Sequence, residues 1–143
     1  MLIETKNGGV RNMIDHVDGY TLSVRDFEKC FAFYHDKLGL KLEFKEADFA
    51  YLTFGGQGLR GLALESVESA SKVTSVAPVR PKEDTIHRNH FVVFVDDVDK
   101  EFEELKAKGV HFANPPTTGR FGQRIGCFED PEGNLWEISN HVG

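Results

Sequence analysis

The chain has little of several features that would indicate a specialised class of protein. Only 2 of its 143 residues are cysteine, too few for a disulfide framework. No apolar run approaches the roughly 18 residues needed to cross a bilayer, and the first residues lack the order of a signal peptide. Basic residues number 17 against 23 acidic ones, and the net charge of −6 disfavours nucleic acid or an anionic membrane surface as a partner.

The chain does have enough apolar and aromatic sequence to form one core. Hydrophobic residues make up 40% of it and 12 residues are Phe, at a length that suits one domain. Cys30 and Cys127 lie far apart in apolar contexts, which predicts a pair of buried, reduced thiols. We therefore expect a cytoplasmic protein.

Two segments repeat one pattern of secondary structure. Residues 20–26 and 91–97 are apolar, alternating strands that end in Asp, and each leads into an amphipathic helix that stops at a glycine. Three short strands can follow each helix. We expect them near 40–45, 48–54 and 59–65 in the first copy and near 110–113, 124–129 and 134–140 in the second. The order is βαβββ twice, which predicts an α+β fold whose two concave sheets line a cavity.

These patterns divide the chain into four parts. Residues 1–12 are polar and without a period, which predicts a flexible N-terminal arm, and residues 13–66 form the first module. Residues 67–86 contain two prolines and predict a linker, with a lid over the cleft as the alternative. Residues 87–143 form the second module, and the two modules make one combined domain.

Aligning the two copies compares their polar residues. The strand segments match at an offset of 71, which places Gly19 opposite His90. The last strands match at an offset of 72, which places Glu65 opposite Glu137. The first helix, from its capping Asp to its terminal Gly, spans 13 steps against 12 in the second. The first helix, with its turn, is therefore one residue longer than the second.

His90 and Glu137 are the residues on which metal chemistry would depend. Each lies on a predicted strand face that alternates with an apolar face, and a strand carboxylate is costly to bury unless it is paired or bound to a cation. With Glu65 they form an imidazole and carboxylate set that suits Zn, Ni, Mn, Co or Fe(II). We expect one divalent metal per cleft, with a hydrogen-bonded histidine and salt-bridged glutamates as the alternative.

The segment from Asp130 to Ile138, Asp-Pro-Glu-Gly-Asn-Leu-Trp-Glu-Ile, resembles the terminal signature of a known superfamily. This is the vicinal oxygen chelate superfamily of glyoxalases, bleomycin-resistance proteins and extradiol dioxygenases. Residues 26–39 and 89–97 look like the helix and strand that open its modules, so the resemblance covers roughly residues 14–141. It implies paired βαβββ modules that form an incomplete barrel around a cleft. It also implies a homodimer, in which a cleft can be built from two chains.

The resemblance also implies roles for the site residues. Positions that match His90 and Glu137 are metal ligands in the metalloenzymes of the superfamily, and Glu65 matches the carboxylate of the first module. Those enzymes have His or Gln where this chain has Gly19, which offers no ligand. His16 could replace it only if the strand is bulged.

Three other residues are candidates for contact with a substrate. Arg120 and Arg124 lie in a loop, residues 114–124, that could cover the cleft and meet an anionic group. Ordinary surface arginines in an exposed loop are the alternative. Tyr51 could line an apolar pocket or pack in the core.

Several functions remain open at this point. The first is a glyoxalase-like, divalent-metal-dependent enzyme of the lyase or isomerase type, acting on a small molecule with adjacent oxygens, with Glu137 and Glu65 as its catalytic residues. The second is a metal-free protein that binds a small, antibiotic-like molecule, which Gly19 favours. A structural or regulatory dimer is the third, and an extradiol-type dioxygenase is a weaker alternative within the enzyme class.

Overall fold

The computed structural model describes residues 2–4, 10–12, 19–56, 60–74, 90–119 and 121–140. The strands are β1 Leu2–Glu4, β2 Val10–Asn12, β3 Tyr20–Val24, β4 Lys41–Lys45, β5 Phe49–Thr53, β6 Gly61–Ser66, β7 Phe91–Phe94, β8 His111–Phe112, β9 Thr117–Thr118, β10 Arg124–Glu129 and β11 Leu135–Ser139. The helices are α1 Phe27–Ala32, which continues as a π-helical turn over Phe33–Lys37, α2 Val67–Thr74 and α3 Val98–Ala107. The candidate residues His16 and Arg120 lie outside the described residues.

Two sheets carry the two modules. The first has the order β3-β6-β5-β4, and the second has the order β7-β11-β10-β8, with β9 also paired to β10. In each module the first strand lies parallel to the last one, while the other neighbours are antiparallel. The predicted α+β fold of two βαβββ modules is therefore confirmed, and the described strands do not close into a barrel.

The two helices that follow the repeated strands begin and end in the same way. The side chains of Asp26 and Asp97 each accept a hydrogen bond from the backbone N–H three residues on, at 3.1 and 3.0 Å. This contact satisfies a donor that the first turn of a helix leaves unpaired. Each helix is followed by a glycine with positive φ, 74° at Gly39 and 83° at Gly109, a conformation that glycine adopts without strain.

The π-helical turn at Phe33–Lys37 takes up the extra residue of the first helix. There the N–H of Leu38 donates to the carbonyl of Phe33, five residues back, at 3.0 Å. A π turn inserts one residue into an α-helix. The first helix thus keeps the same cap and the same terminal glycine as its copy, in the place where the sequence predicted an insertion.

One aromatic core spans both modules. Trp136 of β11 stacks on Phe91 of β7, with ring centroids 4.3 Å apart, and on Phe128 of β10, 6.0 Å apart. The first helix reaches this cluster through Phe33, 6.4 Å from Phe128, and Tyr34, 5.8 Å from Trp136. Burial of these rings against each other therefore stabilises the modules as one unit.

Two segments carry more regular structure than the sequence predicted. The expected linker over residues 67–86 begins with α2, where Ala70 is buried, with 8% of its surface exposed. Residues 75–86 of the expected linker lie outside the described part of the chain. The expected N-terminal arm holds β1 and β2, which pair antiparallel with Leu2 opposite Asn12. Within the described residues, no helix is long and apolar enough to cross a membrane.

Candidate functional site

The second sheet has one face against the helices and one open face. Phe91, at the start of β7, packs in the core, and strand alternation turns its neighbour His90 to the other face. On that face Glu137 of β11 lies opposite Val92 of β7 on one side and opposite Cys127 of β10 on the other. Val92 is 49% exposed, so this face is accessible to a small molecule.

His90 and Glu137 meet on the open face. The Nε2 atom of His90 lies 3.2 Å from Oε2 of Glu137, and the side chains are 42% and 19% exposed. This is a hydrogen bond between two strands that the sequence separates by 47 residues. The pair is partly desolvated, and each side chain keeps a surface that a ligand can reach.

The separation of this pair is close to that of two ligands of one divalent cation. Imidazole nitrogen and carboxylate oxygen bind Zn²⁺ at about 2.0–2.2 Å, so two such atoms on a tetrahedral metal are about 3.3–3.5 Å apart. The separation of 3.2 Å is just below that range, and it is also a hydrogen-bond distance. Within the described ranges, however, no group of three or more His, Cys, Asp or Glu side chains could hold a metal ion.

Glu65 lies further along its sheet than Glu137 does. In the second module the strand that follows His90 pairs Val92 with Glu137. The corresponding residue of the first module, Thr21, pairs with Ala63, and Glu65 lies two residues on, opposite Ser23. The register thus aligns Glu137 with Ala63 and places Glu65 two residues, or about 6.6 Å, further along its strand than the predicted equivalence.

Glu65 also has a partner within its own module. Its Oε1 atom accepts a hydrogen bond of 2.8 Å from the hydroxyl of Ser69 in α2, whose backbone N–H donates to Ser66 Oγ at the start of that helix. Glu65 is half-buried. This contact connects α2 to the end of β6.

Gly19 leaves open space at the start of β3. A Cβ atom placed there would meet no atom of the described residues within 4 Å, and the residue is exposed. The following residue, Tyr20, packs edge-on against Phe91, with ring centroids 4.6 Å apart. Since Phe91 follows His90, the starts of β3 and β7 lie side by side, and a longer side chain at position 19 has room to extend there.

Arg124 lies on the other face of its sheet. Its guanidinium forms two hydrogen bonds with Asp99 in the first turn of α3, at 2.8 and 3.0 Å. These bonds and the charge of the guanidinium hold the pKa of Asp99 below its usual value. Arg124 is thus engaged on the helix side, opposite to Cys127. This position does not favour the predicted contact with a substrate.

Tyr51 lies across a glycine of the neighbouring strand. A Cβ atom on Gly61 would come within 2.6 Å of the Tyr51 ring and of the backbone oxygen of Leu52. The ring is half-buried on the same face as Glu65. Only glycine at position 61 allows this contact, so the ring of Tyr51 packs closely against β6.

A cleft borders the His90–Glu137 pair on the open face. Residues 113–117 join β8 to β9, and together with Ile125 and Cys127 they enclose about 460 Å³. Cys127 is exposed, which corrects the expectation that both thiols are buried. Desolvation, and then the charge of Glu137, raise the pKa of this thiol. Strand alternation accounts for this exposure, because Gly126 and Phe128 on either side of Cys127 face the core.

The turn between β10 and β11 joins the two modules, a role that the sequence did not reveal. Asp130 accepts hydrogen bonds from the backbone of Glu132 and Asn134 and from the hydroxyl of Tyr34. The carboxylate of Glu132 accepts from the N–H groups of Arg25 and Asp26, each at 2.8 Å. The second module thus supplies a cap to the first helix of the first module.

Comparison with known proteins agrees with this architecture. The sequence model of the Glyoxalase/Bleomycin resistance protein/Dioxygenase superfamily matches residues 13–138. The chain belongs to this superfamily. The match includes both modules and the turn that joins them, and it confirms the resemblance found in the sequence.

Individual members of the superfamily are similar over most of the chain. The uncharacterized protein YraH of Bacillus subtilis (strain 168) is 31% identical over 118 residues, which cover 82% of this chain and 91% of that protein. A glyoxalase/bleomycin resistance protein/dioxygenase from Nocardioides is 26% identical with a TM-score of 0.74, over 92% of this chain and 85% of that one. Lactoylglutathione lyase from Agrobacterium tumefaciens, at 20% identity and a TM-score of 0.66 over 90% and 96%, shares the fold.

Proposed function

We propose that the protein is a divalent-metal-dependent enzyme of the lyase or isomerase type that acts on a small molecule with adjacent oxygens. The observation that supports this proposal is the 3.2 Å separation of His90 Nε2 and Glu137 Oε2 on an accessible sheet face. Membership of a superfamily that includes glyoxalases also supports it. Zn, Ni, Mn, Co and Fe(II) suit the two donor types.

In this proposal His90 and Glu137 hold the metal. When bound, the metal supplies a Lewis acid to the oxygens of the ligand. The second carboxylate oxygen of Glu137 can accept a proton from a ligand on the same face. A role for Glu65 as a further ligand or catalytic residue stays a prediction, and its bond to Ser69 has to break for that role. A homodimer, whose second copy could complete the site, also stays a prediction.

A metal-free protein that binds a small molecule is the second candidate. The open space at Gly19 favours it, and so does the finding that the described residues bring no third donor to the pair. In that case His90 and Glu137 offer a hydrogen-bonding edge to a ligand. An extradiol-type dioxygenase is less favoured. The resemblance implies two His and one Glu as its metal ligands, and Gly19 takes the place of one His.

Metal analysis separates the two candidates. Protein purified without chelator is titrated with each of the five metals, alongside His90→Ala and Glu137→Ala. We expect about one metal per cleft in the wild type and its loss in both variants, since each removes a donor of a two-residue site. His111→Ala and Glu104→Gln are matched controls on exposed residues of β8 and α3 and should bind metal normally.

The opposite result supports the second candidate. A wild type that takes up no stoichiometric metal from any of the five would contradict the metalloenzyme. A planar aromatic cation titrated in the presence of chelator then tests the metal-free site. Saturable binding that Glu137→Gln weakens supports a binding protein, because that change removes the negative charge on the open face.

A further inference from the structure

The cleft beside the pair has the size of a small-molecule site. Its volume of about 460 Å³ falls within the range of about 300–1,000 Å³ found for ligand pockets. The segment 113–117 forms one wall, where Pro116 is buried and its neighbours are exposed. Ile125 and Cys127, on the open face of β10, form the other wall.

Cys127 connects this cleft to the pair. It lies directly opposite Glu137 on the neighbouring antiparallel strand, and such residues have Cβ atoms about 4.5–5.5 Å apart. A molecule in the cleft therefore reaches Glu137 by passing over Cys127, and His90 lies beyond.

The described residues that line the cleft include no Lys, Arg, Asp or Glu. The segment 113–117 reads Ala-Asn-Pro-Pro-Thr, and the other lining residues are Ile125 and Cys127. Arg124, next to Ile125, is held by Asp99 on the other face of the sheet. Of the described residues that line the cleft, none offers a positive charge to a ligand.

We propose that Cys127, Ile125 and the segment 113–117 form a specificity-determining part of the site, which takes the uncharged and largely apolar body of a ligand. The position of the ligand's oxygens at His90 and Glu137 rests on the proposed function, whereas the cleft does not. An anionic body is disfavoured because it loses its hydration without gaining a cationic partner among the described lining residues, and because Glu137 repels it. The side chains of Asn114 and Thr117 can form one or two hydrogen bonds with the ligand.

The test compares two fluorescent probes that differ by one charge. One is a naphthalene with two adjacent hydroxyl groups, and the other is the same molecule with a sulfonate on its far ring. Each is titrated against the wild type, Cys127→Phe and Cys127→Ser, in chelator and again with metal. Phe fills the cleft, whereas Ser keeps its volume, so Cys127→Ser is the matched control.

We expect the uncharged probe to bind the wild type at least about tenfold more tightly than the sulfonated one, since an unpaired buried polar group costs this much or more. Cys127→Phe should weaken the binding of the uncharged probe by about tenfold or more, as a lost apolar contact does. Cys127→Ser should weaken it by less than about threefold. Metal uptake should be equal in all three proteins. If the wild type takes up no metal, that result contradicts the proposed function and leaves the cleft untouched, because the titration in chelator still tests the cleft.

A second measurement covers the case in which Cys127→Phe does not fold. Saturation of the wild type with the uncharged probe should slow alkylation of Cys127 by N-ethylmaleimide, followed by mass spectrometry. Cys30, which is fully buried, reports any unfolding during the assay. Equal binding of the two probes, no saturable binding of the uncharged one, or unchanged alkylation of Cys127 would each overturn the proposal.

Discussion

Tyr34 in the first module donates a hydrogen bond of 2.6 Å from its hydroxyl to Oδ2 of Asp130 in the second module. The same hydroxyl accepts a bond of 3.2 Å from the indole N–H of Trp136. Tyr34 is 0% and Asp130 5% exposed. A buried carboxylate is tolerated when it is hydrogen-bonded, so this contact satisfies Asp130 and also joins the modules.

Tyr34→Phe should destabilise the protein without changing its fold. The substitution leaves Trp136 without its acceptor and Asp130 with one donor fewer, and unpairing buried polar groups costs about 1–3 kcal/mol. Denaturant unfolding measures the loss. Tyr20→Phe is the control, since the ring of Tyr20 packs on Phe91 and no hydrogen bond of its hydroxyl is found within the described residues. Equal stability of the two variants would show that the Tyr34 bond contributes nothing.

Glu132→Ala should also lower stability, through the first helix. The substitution removes the carboxylate that accepts from the N–H groups of Arg25 and Asp26, and loss of a helix cap costs about 0.5–2 kcal/mol. Glu132→Gln keeps an acceptor oxygen and should lose less. Glu103→Ala, at an exposed position of α3, is the control. If Glu132→Ala unfolds at the same denaturant concentration as the control, the cap is not stabilising.

The helices and strands were predictable because their signals are local. Asp26 and Asp97 as caps, and Gly39 and Gly109 as terminators, each act within one turn of helix. The extra residue of the first helix was visible by comparison of the two copies, and the π turn is its physical form. Alternation alone placed His90 and Glu137 on faces away from the core.

The register of the strands was not predictable, and it decides which residues share a site. Glu65 is on the expected strand, yet a shift of two residues keeps its face and moves it along the sheet. Nothing in the local sequence fixes such a shift. Cys127 shows a different failure, because its apolar residue type suggested burial although the alternation around it indicated the open face.

The reactivity of Cys127 should depend on pH in a way that reports Glu137. Desolvation, and then the charge of Glu137, raise the pKa of this thiol, so less thiolate is present at neutral pH. The alkylation rate should therefore reach its midpoint at a higher pH than that of a free cysteine. Glu137→Gln removes the second cause, so the midpoint should move to lower pH while staying above the free value. Rates of N-ethylmaleimide addition across pH give the midpoints. An unchanged midpoint in Glu137→Gln would contradict the proximity of the two groups.

Gly19→His should increase the affinity for a divalent metal. In the part of the chain that the structure describes, a Cβ atom at Gly19 has no neighbour within 4 Å. The start of β3 lies beside that of β7 through the contact of Tyr20 with Phe91. An added imidazole can therefore act as a third donor beside His90 and Glu137, and we expect at least about tenfold tighter binding. Calorimetric titration with Zn²⁺ or Ni²⁺ measures this change. Gly19→Ala should bind as the wild type does, and adding His90→Ala to Gly19→His should remove the gain. If Gly19→His binds no more tightly than Gly19→Ala, position 19 lies beyond the reach of the pair.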